Sequence, residues 1–156
     1  MKSIAVDANP ILSALLGGKS LEILCDKRIR FITTERIIWE VKKFIPEIAK
    51  KLGVEDTRLY YALENLPIMT LPPKEYDKQR ELAEKLIAHR DRKDVDLLAL
   101  CLATATPMWS QDKDFEDIEQ ITLFKTMDMI ELAAQADSSS SILYLLQNKG
   151  EFFQVL

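Results

Sequence analysis

The sequence predicts an α/β domain whose central sheet is parallel and built from short strands. Short apolar runs alternate with longer segments of helical periodicity, a pattern typical of a parallel sheet covered by helices. Acidic residues directly follow two of these runs, Asp7 the first and Asp112 a later one. A segment over 94–106 is apolar on nearly every side, which indicates a helix buried between layers.

The first part of the chain alternates strands and helices from its start. Residues 3–6 form an apolar run that predicts a buried strand. Asn9 and Pro10 suit the beginning of a helix, because asparagine caps backbone amides and proline fits the first turn. We expect Pro46 to kink or divide the long helix in which it lies. The further elements expected here are a helix over 20–26, a strand over 29–33, helices over 34–52 and 55–65, and a strand over 68–71.

The second part of the chain continues this alternation. An amphipathic helix is expected over 75–90, with Leu82, Leu86 and Ile87 on its inner face. The remaining elements are the buried helix over 94–106, strands over 107–111 and 121–124, and a helix over 127–136 that begins after Thr126.

The composition changes near the end of the chain. Four consecutive serines at 138–141 are too polar for a core element and mark a boundary. We therefore predict a domain over 1–137 and an appended tail over 138–156. The apolar residues of that tail are expected to dock on the domain or on another chain.

Charge and cysteine content exclude several classes of protein. The chain has 21 Lys and Arg against 25 Asp and Glu, a net charge of −4, which rules out a general basic coat for nucleic acid but not a local basic patch. Cys25 and Cys101 lie in apolar surroundings and are predicted to be reduced core thiols. The chain shows neither a signal peptide nor an apolar run long enough to span a membrane. A cytoplasmic protein is expected.

Four acidic residues occupy positions from which their side chains can converge. Asp7 and Asp112 follow strands, and ligands of parallel sheets bind beyond the carboxyl ends of the strands. Glu40 lies about 100° from the centre of its helix's apolar stripe, on the flank of the buried face. Asp94 begins the buried helix, whereas Asp96 points about 200° away from it and is kept in reserve. Singly, each has an ordinary interpretation as a loop, solvated or helix-start acid.

Four blocks of sequence stand in an order and spacing that resemble a known family. The blocks are IAVDANPIL at 4–12, Glu40 inside a helix, KDVDLLALCLA at 93–103 and WSQDKDF at 109–115. The last two are the most specific, because a strand followed by Asp-x-Asn is weak evidence by itself. Together they resemble the PIN domain, from residue 2 to about residue 133.

The resemblance implies a fold, an activity and partners. The fold is a PIN-like α/β/α sandwich with a short-stranded parallel central sheet. The activity is that of a metal-dependent endoribonuclease, a group that includes the VapC-type toxins of toxin–antitoxin pairs. An RNA substrate, an antitoxin protein and a homodimer are the partners that follow from it.

The resemblance also assigns roles to residues. The catalytic and metal-ligating roles fall on Asp7, Glu40, Asp94 and Asp112. The supporting polar residues expected around them are Asn9, Ser110, Asp96 and Asp114.

Such a cluster of acids has a chemical consequence that does not depend on the family. Two carboxylates about 4 Å apart repel by on the order of 1 kcal/mol in water and by more when partly buried. A cluster persists when it holds divalent cations, and all-oxygen ligation favours Mg²⁺ or Mn²⁺. His89 is the only histidine and suits a helix end, so a zinc site of ordinary composition is excluded. One or two such ions would polarise a phosphodiester and lower the pKa of an attacking water.

Two groups of basic residues could hold a nucleic acid. The group nearer the acids in sequence, and therefore preferred for substrate binding, is Arg90, Arg92, Lys93 and Lys113. The other group, better explained as a solvated face, is Lys27, Arg28, Arg30 and Arg36. Single-stranded or looped RNA is preferred over duplex, because a narrow crevice needs an exposed backbone.

Two other functions are alternatives to the metal-dependent ribonuclease. A phosphohydrolase of the HAD type also begins with a strand and an aspartate, but its second acid would stand where this chain has Asn9. The stronger rival is a catalytically weak or inactive PIN-like module that acts by binding RNA or protein. In that case the acids hold metal weakly and the tail docks the partner.

Overall fold

A five-stranded parallel sheet forms the centre of the molecule in the computed structural model, which describes residues 2–87 and 89–134. The strands are β1 (Lys2–Val6), β2 (Ile29–Thr34), β3 (Ile68–Leu71), β4 (Met108–Trp109) and β5 (Leu123–Phe124). They are arranged in the order β3-β2-β1-β4-β5, and all four pairings are parallel. The predicted α/β/α sandwich with short parallel strands is confirmed.

Helices cover both faces of this sheet. They are α1 (Ala8–Leu15), α2 (Lys19–Leu24), α3 (Glu35–Leu52), α4 (Asp56–Asn65), α5 (Arg80–Ile87), α6 (Val95–Thr104) and α7 (Thr126–Ala134). Of these, α6 is buried most completely, as its lack of a polar face predicts: Leu97, Leu98 and Leu100 are fully buried where it packs on β1 and β2.

The order of the strands creates one point at which the winding of the chain reverses. From β1 the chain moves outward to β2 and β3, then returns to β4 on the other side of β1 and ends at β5. Ligands of open α/β sheets bind outside the carboxyl ends of the strands at such a reversal. Asp7 directly follows β1, and Ser110 directly follows β4. The topology therefore places both residues at the usual ligand crevice.

The segment predicted as one helix over 75–90 is shorter and more irregular than expected. Two 3₁₀ turns, Pro73–Glu75 and Asp77–Gln79, precede α5. Between them Tyr76 has φ −138°, outside the helical range, and its side chain is buried. This shifts the inner face of α5 to Ala83 and Ile87, and leaves Leu82 exposed.

Two further expectations from the sequence are not met in full. Pro46 does not divide its helix, because α3 continues from Glu35 to Leu52; the alternative expectation, a kink at Pro46, stays a prediction. Pro46 is exposed, where water can reach the carbonyl group that loses its intrahelical partner. Cys25 is exposed, since it follows the last turn of α2, whereas Cys101 on α6 is buried as predicted.

Some sequence-based expectations lie outside the described residues. They include the boundary at 138–141, the tail over 138–156 and the last residues of the helix expected over 127–136. In the part of the chain that the structure covers, none of the helices combines the length and the apolar character needed to cross a membrane.

Candidate active site

Asp7 is held at the junction of β1 and α1 by two hydrogen bonds. Its Oδ1 accepts from the backbone N–H of Ala8 at 2.7 Å, and its Oδ2 accepts from the Oγ of Ser110 at 2.6 Å. The side chain is buried, with 7% of the residue exposed. Burial raises the pKa of Asp7, and the two hydrogen bonds partly oppose that effect.

Ser110 also positions the segment that carries Asp112. Its Oγ accepts a hydrogen bond from the backbone N–H of Asp112 at 3.0 Å. The Oδ1 of Asp112 in turn accepts from the backbone N–H of Asp114 at 2.9 Å, and so caps the 3₁₀ turn Lys113–Phe115. One buried hydroxyl therefore contacts both the acid after β1 and the loop after β4.

Asp94 belongs to a different element, the start of α6. It ends the 3₁₀ turn Arg92–Asp94 and is only 7% exposed. Its Oδ2 is buried and has no hydrogen-bond partner among the described residues. Burial, followed by repulsion from Asp7 and Asp112, raises the pKa of Asp94 to about 8.

Three of these carboxylates meet at one point. One oxygen from each of Asp94, Asp112 and Asp114 lies within 4.8 Å of the others. An all-oxygen donor set of this kind suits a hard divalent cation such as Mg²⁺ or Mn²⁺. A cation would also partner the orphaned Oδ2 of Asp94 and offset the mutual repulsion, so the residues present fit such a metal.

Glu40 borders this cluster from α3. Its Oε1 is buried without a hydrogen-bond partner among the described residues, and the Nε of Arg36 lies 3.6 Å from it. Burial raises the pKa of Glu40, Arg36 lowers it, and the carboxylate of Asp7 raises it again. The charge of Asp7 therefore acts on Glu40. Neither residue is part of the group in which oxygens of Asp94, Asp112 and Asp114 lie within 4.8 Å of one another.

Comparison with known families matches most of the chain to one group of proteins. A sequence model of the PIN domain matches residues 5–131. The chain belongs to the PIN domain family. PIN domains are typically metal-dependent nucleases, and the acids described above lie within the matched region.

Solved structures agree at the level of the fold. The PIN domain resembles a chain in the crystal structure of VapBC2 from Rickettsia felis bound to a DNA fragment from their promoter. The TM-score is 0.57 at 12% sequence identity, covering 79% of this chain and 98% of the other. A search of the curated proteins found no match.

Two expected supporting residues of the PIN domain make no hydrogen bond to the acid cluster within the described residues. Asn9 is exposed in the first turn of α1, and its side chain makes no hydrogen bond to the acids of the described chain. Asp96 faces another way, because its Oδ1 pairs with Nη1 of Arg80 at 2.9 Å and its Oδ2 accepts from the hydroxyl of Tyr76 at 3.2 Å. Asp114 and Ser110, in contrast, lie at the cluster.

Asp91 is a neighbour of the site that the sequence analysis did not single out. Its Oδ1 caps the turn before α6 by accepting from the backbone N–H of Lys93 at 2.9 Å. Its charge contributes to raising the pKa of both Asp7 and Asp94. Its position in the same short acidic run as Asp94 was the available signal.

Members of each predicted basic group lie at different places in the structure. Arg90 holds the loop of Asp114, since its Nη1 donates to the carbonyl oxygen of Asp114 at 2.6 Å and its Nη2 donates to Asp117 at 3.3 Å. Arg92 and Lys93 line a pocket that also includes Arg36. The other basic group is therefore divided, because Lys27 and Arg28 line a different groove.

Proposed function

We propose that this PIN domain is a metal-dependent endoribonuclease that hydrolyses RNA phosphodiester bonds. The observation that carries the proposal is the convergence of carboxylate oxygens from Asp94, Asp112 and Asp114 within 4.8 Å, at the crevice beyond β1 and β4. The family membership supports nuclease chemistry, and the buried, unpartnered Oδ2 of Asp94 supports a bound cation.

The metal-binding residues in this proposal are Asp7, Glu40, Asp94 and Asp112, with Asp114 contributing to the same cluster. Their oxygens favour Mg²⁺ or Mn²⁺. When bound, such an ion lowers the pKa of an attacking water and neutralises charge on the phosphodiester.

The chain's own residues orient the reacting groups. Ser110 fixes Oδ2 of Asp7 and the backbone of Asp112, so these carboxylates keep one geometry when RNA binds. Glu40 is suited to bind a metal ion or to accept the proton of the attacking water, because its Oε1 is buried and lacks a hydrogen-bond partner among the described residues. As the oxygen of the attacking water bonds to phosphorus, one ester P–O bond breaks, and the leaving ester oxygen takes up a proton from solvent and becomes a hydroxyl group.

The substrate in this proposal is RNA that is single-stranded or looped. Asp7 and Asp94 are buried at the end of a sheet, where a paired backbone would be held away by its partner strand. The target sequence is left open.

Cleavage assays with matched variants test the nuclease proposal. Labelled RNA is incubated with Mg²⁺, Mn²⁺ or EDTA, using wild type, Asp7→Asn, Asp94→Asn and the control Asp56→Asn, which removes an exposed acid on α4. We expect metal-dependent cleavage by wild type and the control, and strong loss in both site variants. If no RNA is cleaved by any of the four proteins, the module that acts by binding is the better assignment.

We also propose that the protein is the toxin of a toxin–antitoxin pair, present in the cytoplasm as a homodimer. The support is the fold that it shares with a chain of the VapBC2 complex, a similarity that concerns the fold alone. Expression of wild type is expected to arrest growth, and Asp94→Asn is expected to relieve the arrest. Harmless expression of an active nuclease, or a monomeric mass at micromolar concentration, would contradict the toxin and the dimer respectively.

A further inference from the structure

A small pocket beside the acid cluster is lined mainly by positive charge. It has a volume of about 250 Å³, and its lining residues are Arg36, Arg80, Arg92, Lys93 and Asp96. Four of these five side chains are cationic, in a chain whose net charge is −4. A concave surface with such an excess of one charge concentrates anions.

Two lining residues connect the pocket to the proposed active site. Arg36 lies one helical turn before Glu40 on α3, with its Nε 3.6 Å from Oε1 of Glu40. Lys93 directly precedes Asp94, and its charge also acts on Glu40. An anion in the pocket is therefore adjacent to the acids and not on a remote face.

The position of Arg80 is fixed by a partly buried network, and its Nη2 also pairs with Oδ1 of Asp77 at 3.3 Å. Asp96 pairs with Nη1 of Arg80 at 2.9 Å, and the hydroxyl of Tyr76 donates to the other oxygen of Asp96 at 3.2 Å. Tyr76 is 1% exposed, so the base of this network is anchored in the core. A guanidinium that is already positioned loses little conformational entropy when it binds a ligand.

Arg92 and Lys93 supply charge that no acid neutralises at close range. Both are exposed, and neither forms an ion pair with another residue of the described ranges 2–87 and 89–134. Arg36 is held on its other side by the ring of Trp39, 4.8 Å from its guanidinium carbon. The pocket therefore combines positioned arginines with available charges.

A larger groove elsewhere on the protein offers a useful contrast. It lies between α2 and α7, has a volume of about 580 Å³ and also contains basic residues. There, however, Lys19 pairs with Glu22, and Arg28 pairs with Asp26. That groove has three basic and two acidic lining residues, against four and one in the pocket, so its excess of positive charge is smaller.

We propose that this cationic pocket binds the phosphate group next to the scissile one in a single-stranded RNA. The pocket is smaller than the roughly 300–1,000 Å³ typical of sites for whole small molecules, which favours a phosphate group over a complete nucleotide. Arginine recognises phosphate oxygens through paired hydrogen bonds. The inference rests on the proposed ribonuclease function, because it takes RNA as the strand that crosses both sites.

RNA binding without cleavage is the direct test. The affinity of a fluorescent single-stranded RNA is measured in EDTA for wild type, for Arg92→Gln/Lys93→Gln and for the control Arg58→Gln/Lys50→Gln. The control removes one arginine and one lysine, both exposed, from α4 and α3. Arg80→Gln serves as a second pocket variant, with its melting temperature measured to confirm folding.

We expect the pocket variants to bind about tenfold more weakly than the control, with a shallower dependence of affinity on salt concentration. Equal affinities for the pocket and control double variants would overturn the proposal. So would a free mononucleotide that binds the pocket as tightly as the RNA does. If RNA binds through the pocket but is never cleaved with any metal, the ribonuclease assignment fails while the pocket stands. If the pocket variants cleave RNA and bind it as tightly as the control does, the pocket proposal fails while the ribonuclease assignment stands.

Discussion

The Oγ of Ser110 donates a 2.6 Å hydrogen bond to Oδ2 of Asp7, joining residues that are 103 positions apart in the sequence. The same oxygen accepts from the backbone N–H of Asp112 at 3.0 Å. Because Ser110 is fully buried, water cannot replace these contacts. The serine thus couples the ends of the two strands between which the winding of the sheet reverses.

Replacing Ser110 by alanine should weaken the site without removing any acid. The substitution leaves Oδ2 of Asp7 buried without its donor, which costs about 1–3 kcal/mol of the free energy of unfolding. The pKa of Asp7 should rise further, because the hydrogen bond from Ser110 lowers it. We expect activity to fall about 10- to 100-fold and the acidic limb of the pH–rate profile to move to higher pH.

The matched control is Ser20→Ala, which removes another buried serine, on α2. It should leave the pH–rate profile in place. A Ser110→Ala enzyme with wild-type activity and pH profile would show that the hydrogen bond to Asp7 has no functional role.

Asp94→Asn and Asp96→Asn should differ in their effects on both activity and stability. Their effects on stability should have opposite signs. Asp94→Asn removes a buried, unpartnered carboxylate, so the metal-free protein should become more stable at pH 8 while cleavage falls at least about 100-fold. Asp96→Asn weakens the pair with Arg80 and should lower the free energy of unfolding by about 1 kcal/mol. Urea denaturation and initial rates of cleavage measure both effects. Similar loss of kcat in the two variants would contradict these separate roles.

The stability of the metal-free protein should decrease as the pH rises. The pKa of Asp94 is raised from 3.8 to about 8 in the folded state. Its contribution is therefore fully present below pH 3.8 and is lost progressively up to about pH 8. Burial shifts the pKa of Asp7 and Glu40 in the same direction.

Thermal unfolding in EDTA between pH 5 and pH 9 measures this dependence. Addition of Mn²⁺ should reverse it, since the ion binds the ionised carboxylates of the folded state and is stabilising by mass action. In Asp94→Asn the slope should be smaller. A melting temperature that rises with pH in EDTA would contradict this prediction, because it would show that ionisation of Asp94 does not destabilise the folded protein.

Arg90 should act through the loop of Asp114 and not through RNA contact. Arg90→Gln removes the hydrogen bonds to the carbonyl oxygen of Asp114 and to Asp117, so metal affinity should fall several-fold while RNA affinity in EDTA changes little. Hydrogen exchange at the loop amides should accelerate. Lys113→Gln, an exposed cation on the same loop, is the control and should leave metal affinity unchanged. Weaker RNA binding with unchanged metal affinity in Arg90→Gln would contradict this prediction and return Arg90 to the substrate-binding group.

Periodicity predicted the elements of the fold well where one residue pattern dominated. The predictions are confirmed for the short apolar run before Asp7 and for the helix after Asp94 that is apolar on every side. A segment that is buried on every side has few alternative structures. The sequence predicts a regular helix around Tyr76, and this prediction is wrong. Its buried ring is accommodated by a non-helical backbone, an effect of tertiary packing that a helical wheel does not contain.

The identity of the acids, their order along the chain and the strands and helices that carry them follow from the amino-acid sequence. The tertiary structure brings particular acids together: Asp114 joins Asp94 and Asp112, while Asp96 pairs with Arg80. It also divided the basic residues between a loop support and a pocket. The physical reason is that periodicity specifies which face of one element is buried, whereas contacts between side chains depend on how separate elements pack.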